Sequence, residues 1–127
     1  FTAASSSVGI VNFITYFQNT KGYRQDVRAR EYGDPDDVEF LKSISPIFKI
    51  DRVRTPLLII HGANDPRVPV GEALQVESEL KKRGRSVQTL IFPDEGHGID
   101  KLENRIKAYR VKADFFAREF KVGDVEM

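Results

Sequence analysis

The sequence has no cysteine, no tryptophan, one methionine and only two histidines, His61 and His97. Without cysteine neither a disulfide framework nor a thiolate metal site can form, and two imidazoles are too few for a structural metal centre. No cofactor or metal is expected. Charge of one sign is missing too: 20 basic residues face 19 acidic ones, a formal net charge of +1, and no long run of either sign occurs. That balance gives no electrostatic footprint for nucleic acid. No apolar stretch reaches the roughly 20 residues of a membrane span, so no membrane partner is expected. The first residues show no basic region followed by an apolar run and a cleavage site, and the expected setting is soluble and cytoplasmic. What is present is the material of a core. The hydrophobic content is 40% with nine Phe, the charged content 31%, and the 127 residues suit one compact unit, residues 1–127, with no internal repeat or low-complexity linker.

The most legible segment is Pro56-Leu57-Leu58-Ile59-Ile60-His61-Gly62, a short apolar run bounded by Pro and Gly. A run apolar on both faces fits a central parallel strand. An irregular stretch, 63–70, leads to a predicted helix over 71–83, with Ala73, Val76 and Leu80 on one face and Gly84 as its stop. A second strand is predicted over 87–92, closed by Pro93. After a loop, Asn104 is the expected cap of a last helix whose Ile106, Tyr109, Ala113, Phe116 and Phe120 recur at helical spacing. Strand, helix, strand, helix is the order of a parallel sheet covered by helices. The opening, 5–11, reads as a further strand, and its abrupt start at Phe1 suggests a strand internal to a longer protein. Residues 12–55 read as a long excursion between strands, with Gly33-Asp34-Pro35-Asp36 as a turn into a short helix through Leu41.

In a right-handed strand-helix-strand unit both strands run the same way, so the loops after Ile60 and Phe92 share one edge of the sheet. Neighbouring strands lie about 4.8 Å apart. Asp65, in His61-Gly62-Ala63-Asn64-Asp65-Pro66-Arg67, and His97, in Asp94-Glu95-Gly96-His97-Gly98, can therefore meet at the carboxyl edge, where open α/β sheets bind ligands. An Asp that accepts from one ring nitrogen fixes the histidine tautomer and supports an imidazolium. Each residue also has a plain structural reading: Asp65 before Pro66 can shape a turn, and a loop histidine can simply face water. It is the pairing at matching strand ends that points to chemistry. His61, at the end of the apolar strand, reads as a histidine bonded to backbone. Asp94 and Glu95 are adjacent in one loop and need not face one site.

At these residues the sequence resembles a known family. The stretch 56–70, ending Asp65-Pro66-Arg67-Val68-Pro69-Val70, followed by Phe92-Pro93-Asp94-Glu95-Gly96-His97-Gly98, looks like the C-terminal end of the prolyl oligopeptidase family. The nearest flavour is that of acylaminoacyl-peptidases and dipeptidyl peptidases. Ser43-Ile44-Ser45-Pro46 and Glu103-Asn104-Arg105 resemble the family's flanking motifs, and the resemblance spans nearly the whole chain. It implies the C-terminal portion of an α/β-hydrolase fold: a three-layer αβα unit on a mostly parallel sheet, without the N-terminal strands and nucleophile elbow. It implies a serine-peptidase triad with Asp65 as acid and His97 as base, then acid.

The serine is missing. Ser7, in Ser5-Ser6-Ser7-Val8-Gly9, has no preceding strand and following helix to present it, and the nucleophile is expected upstream of Phe1. By the same resemblance Arg67 binds a carbonyl of a peptide substrate, while Ile10, Val68 and Tyr32 line the pocket for the residue at the cleavage site. The rivals are a carboxylesterase of the same fold and a non-catalytic α/β binding module. The chain alone is expected to be inactive, and to form a homo-oligomer through an exposed N-terminal strand edge with apolar surface around Val8, Ile10 and Phe13.

Overall fold

The computed structural model describes residues 1–20 and 22–120. Its elements in chain order are β1 (Ala4–Ser7), α1 (Phe13–Gln18), α2 (Gly22–Tyr32), α3 (Val38–Ile44), a 3-10 segment (Pro46–Arg52), β2 (Leu57–Gly62), α4 (Gly71–Lys82), β3 (Val87–Phe92) and α5 (Leu102–Phe120). The three strands form one parallel sheet in the order β1-β2-β3. Ser7 stands opposite Ile60 on one side of β2, and Ile60 opposite Leu90 on the other.

The continuous apolar run of β2 is explained by its two covered faces. Leu58 and Ile60, at 0% and 4% exposure, pack with Ala3, Phe92 and Phe115 beneath α5. Ile59 points the opposite way, into Ile50, Ala73, Val76 and Leu80 under α4. A strand residue so buried contributes about 1.5–3 kcal/mol, which is why no polar alternation is seen here. Helix α4 buries the predicted stripe and stops at Gly84, whose φ of +68° lets Arg85 N–H reach back to the Leu80 carbonyl at 2.9 Å. A third cluster, Tyr16, Phe17, Leu41 and Val68, seats the helical excursion α1–α3 on the loop that follows β2.

Three expectations need correction. The first strand covers Ala4–Ser7, not 5–11. Val8 takes a φ of +53°, which a β-branched residue adopts only under strain. The chain then leaves the sheet, with Val11 N–H and Asn12 N–H both donated to Glu72 Oε1. Asn12 Oδ1 in turn caps α1.

Asn104 does not cap α5. The helix begins at Leu102, and the Asn104 amide instead donates to Asp94 and Glu95 at 3.1 and 2.8 Å. The buried face of α5 also differs: Phe115 is 1% exposed, with Ala108, Val111 and Phe116 beside it, whereas Ile106, Tyr109 and Phe120 are exposed at 44%, 69% and 49%. The helix carries more apolar residues than fit on one face, and the sheet takes the stripe that meets Leu58 and Phe92.

Candidate active site

Asp65 stands three residues beyond the last residue of β2, and its two carboxylate oxygens serve different masters. Oδ1 accepts from the backbone N–H of Arg67 at 2.8 Å and of Val68 at 2.9 Å, which makes the turn. Oδ2 meets His97 Nδ1 at 2.9 Å. The turn-forming and histidine-binding readings of Asp65 are thus both realised, one on each oxygen. Its side chain is 0% exposed while that of His97 is 39% exposed, so the acid is dry and the ring is approachable. With an ionised carboxylate as acceptor, Nδ1 carries the proton. Nε2 is then the basic nitrogen, and it has no hydrogen-bond partner among the described residues.

His61 is the structural histidine. It is 1% exposed, and its Nε2 donates to the Val68 carbonyl at 2.8 Å, a bond that fixes the tautomer because a carbonyl can only accept. Asp65 Oδ2 lies 3.6 Å from the same nitrogen, beyond hydrogen-bond range. His61 therefore clasps residues 61–68 into a loop that aims Asp65 at His97.

The loop carrying His97 has its own anchor, and sequence reasoning missed it. Glu95 is 4% exposed and accepts from Asp100 N–H, Lys101 N–H and Asn104 Nδ2 at 3.2, 3.1 and 2.8 Å. The Asn104 hydrogen bond, joined by the two backbone donors, holds its carboxyl below the usual glutamate range. Asp94 is likewise lowered, chiefly by its bond to Lys101 at 2.8 Å. These neighbouring carboxylates tie residues 94–101 to the first turn of α5 and do not face the dyad as an acid-base pair. Its one trace in the sequence is Asn104, ten residues after Asp94, at the position where the sequence predicts a helix cap.

The two loops interlock at Gly62. A methyl group added there would sit 2.1 Å from the Gly96 carbonyl oxygen and 2.6 Å from that of Glu95. Ala63 N–H donates to the Phe92 carbonyl at 2.9 Å and Asn64 N–H to the Glu95 carbonyl at 3.0 Å. Parallel pairing of β2 with β3 through Gly62 and Phe92 thus fixes the Asp65–His97 distance from below.

The other expected residues fall as follows. Arg67 is exposed, and none of the ion pairs among the described residues involves it. Val68 is 6% exposed, and it shares a cluster with half-buried Ile10 and Tyr32; the three come together as core. Contrary to the sequence expectation, Ser7 does have a strand before it, since it ends β1, but it lies in the plain extended ladder opposite Ile60. The strained residue is Val8, α1 begins only at Phe13, and no hydrogen bond joins Ser7 to His97. It is not on an elbow. Among the described residues no three His, Cys, Asp or Glu side chains come together as a metal site. No described helix is long and apolar enough to cross a membrane.

A parallel sheet between helical layers, with an acid and a histidine bonded at its carboxyl edge in that chain order, defines an α/β-hydrolase. The model of the prolyl oligopeptidase family matches residues 1–123, and the chain belongs to that family. It is 38% identical over 116 residues to dipeptidyl peptidase family member 6 of Caenorhabditis elegans, covering 86% of this chain and 16% of that protein. It is 36% identical over 101 residues to dipeptidyl aminopeptidase BIII of Pseudoxanthomonas mexicana, covering 77% of this chain and 14% of the other. Among solved structures, Pyrococcus horikoshii acylaminoacyl peptidase superposes with a TM-score of 0.85 at 30% identity, over 94% of this chain and 20% of that one. The chain therefore spans a fifth or less of the length of these relatives.

Proposed function

We propose that this chain supplies the acid and the base of a serine peptidase whose nucleophile is carried by a segment outside residues 1–127. The observation that carries the reading is the 2.9 Å bond between His97 Nδ1 and Asp65 Oδ2, which leaves Nε2 as an accessible base on a half-exposed ring. In the reaction Nε2 takes the proton of the serine hydroxyl as the oxygen attacks the amide carbonyl, and it returns that proton to the leaving amine. Asp65 stabilises the imidazolium formed in between. Water then repeats the sequence on the acyl-enzyme ester. Arg67 donates to a carbonyl of the bound peptide, and Ile10, Val68 and Tyr32 form the apolar wall behind the side chain at the cleavage site. The peptidase names of the relatives favour amide over simple ester substrates.

The 127-residue chain by itself is expected to hydrolyse neither chromogenic esters nor peptides, since a dyad without nucleophile and oxyanion hole gives little acyl-transfer catalysis. It is also expected to resist labelling by a fluorophosphonate, whereas the full-length protein labels stoichiometrically. Turnover with covalent labelling of the isolated chain would place the nucleophile inside it and overturn the division of the triad.

The isolated chain is further proposed to self-associate. Among the described residues β1 pairs only with β2, so the outward N–H and C=O groups of residues 4–7 are an open edge. Ile10 and Phe13 are half-buried against the third cluster, so less apolar surface is uncovered than their sequence suggests. The edge itself carries the proposal, and a two-fold pairing of β1 with its copy satisfies it in both chains. Light scattering at tens of micromolar is expected to give a dimer; a monomer whose residues 4–7 are fully protected from hydrogen exchange would refute it.

A further inference from the structure

Side chains of α2 and Arg67 of the Asp65 turn line an open groove of about 380 Å³, formed by Tyr23, Arg24, Val27, Arg28 and Arg67. Positions 23, 24, 27 and 28 are one stripe of the helix, and three of the five lining side chains carry a guanidinium group, with no carboxylate among the described residues of the lining. Arg28 spends part of its fork on Glu31, at 3.1 Å to each oxygen. Arg24 Nε is bonded to the Tyr23 hydroxyl at 3.2 Å. Arg67 has no side-chain partner among the described residues, and its backbone N–H is held by the triad acid itself. The groove therefore begins two residues from Asp65 and runs toward α2.

Arginines that line one groove offer an entering anion forked, charge-assisted hydrogen bonds. We propose that this groove is a subsite for a carboxylate of the peptide substrate, so that the enzyme prefers peptides bearing an acidic group near the scissile bond. The inference rests on the peptidase reading above and adds Arg24 and Arg28 to it. Arg67, with five donors, spans both tasks: one edge of its fork reaches the substrate backbone, and the other faces the groove. Tyr23 and Val27 form the apolar wall against which the methylenes of a Glu side chain, or the last residue of a peptide, would lie.

Two sources carry this chemistry, an acidic side chain and the C-terminal carboxylate of a short peptide. The test uses the full-length peptidase and three kinds of quenched fluorescent peptide: a neutral one with an amidated C-terminus, a series of the same peptide with one Gln→Glu change walked across the scissile bond, and the neutral peptide with a free C-terminus. The kcat/KM of a carboxylate-bearing peptide is expected to exceed that of the neutral amide by about tenfold, the size of one hydrogen bond to a charged group. In Arg24→Gln/Arg28→Gln this ratio is expected to fall close to one. A preference for Glu identifies the side-chain source, and a preference for the free C-terminus identifies the other.

Added salt is expected to erode the ratio in the wild type and not in the variant. Because the ratio is taken within one preparation, partial misfolding of the variant cancels. A ratio near one in the wild type, or an undiminished ratio in the double variant, overturns the subsite. A protein that cleaves none of the peptides overturns the peptidase reading instead. Anisotropy of the labelled Glu and Gln peptides on the same two proteins then decides the groove: about tenfold tighter binding of the Glu form, lost in the variant, supports it, and equal binding sinks it.

Discussion

Replacing His97 by alanine in the full-length protein is expected, on the proposed function, to lower kcat by about a millionfold, with the fold retained by circular dichroism. The expectation follows from what His97 does and does not hold together. Its ring is 39% exposed and its single hydrogen bond among the described residues is to Asp65 Oδ2, so truncation removes the proposed base and leaves the Glu95 anchor of the same loop in place. Asp65→Asn tests a separate step. An asparagine can keep its oxygen on Arg67 N–H and Val68 N–H, but its amide then donates toward His97, where the carboxylate accepted.

Nδ1 must become the acceptor and Nε2 takes the proton, which leaves a well-placed histidine in the wrong tautomer. Raising the pH cannot restore it, because the lost function is one of tautomer and not of charge. The double variant is expected to be about as slow as His97→Ala alone, since the pair acts as one unit. Either single variant with kcat within tenfold of wild type would return Asp65 to turn-making and His97 to the surface.

The parts of this arrangement that sequence revealed are those where one residue type has one physical reason. The run 57–62 had to be a doubly covered strand because no polar residue interrupts it before His61, and Leu58, Ile59 and Ile60 are indeed packed on both faces. Two strands in parallel then placed Asp65 and His97 at one edge, and the family resemblance agrees with the match over residues 1–123. What was hidden depended on long-range satisfaction of polar groups. Glu72 is 1% exposed and accepts from Val11 N–H, Asn12 N–H, Thr15 and Gln75; nothing in the local sequence says that a glutamate in the first turn of α4 closes the start of α1. The same holds for Glu95 and Asn104. The buried stripe of α5 differs from the expected one because periodicity shows that a helix has apolar faces but not which of two faces the sheet will choose. The expected strand 5–11 exceeds the observed one because β-branched residues continue past Ser7, while the backbone turns at Val8.

The second large effect is expected from a residue with no chemistry. Gly62→Ala adds one methyl group at the point where the loops of the acid and the base touch, 2.1 Å from the Gly96 oxygen and 2.6 Å from the Glu95 oxygen. An ordinary carbon–oxygen contact is no closer than about 3.3 Å, so the backbones must part by about 1 Å. No flexible side chain is available to yield. The bonds from Ala63 N–H to the Phe92 carbonyl and from Asn64 N–H to the Glu95 carbonyl lie in the path of that movement. Overpacking costs about 1–3 kcal/mol and each strained buried hydrogen bond about 1 kcal/mol more, so a loss of about 3 kcal/mol or more in urea denaturation is expected.

The Asp65–His97 bond spans the same gap, and a misplacement of about 1 Å costs about a hundredfold in turnover, so kcat should fall even in the molecules that remain folded. Gly71→Ala is the matched control. It makes the same chemical change in the first turn of α4, where an added methyl meets nothing within 4 Å, and it is expected to be neutral or to stabilise by up to about 1 kcal/mol. If Gly62→Ala unfolds at the same urea concentration as Gly71→Ala and keeps wild-type kcat, the two loops are not locked together at Gly62, and the spacing of the dyad must be set elsewhere.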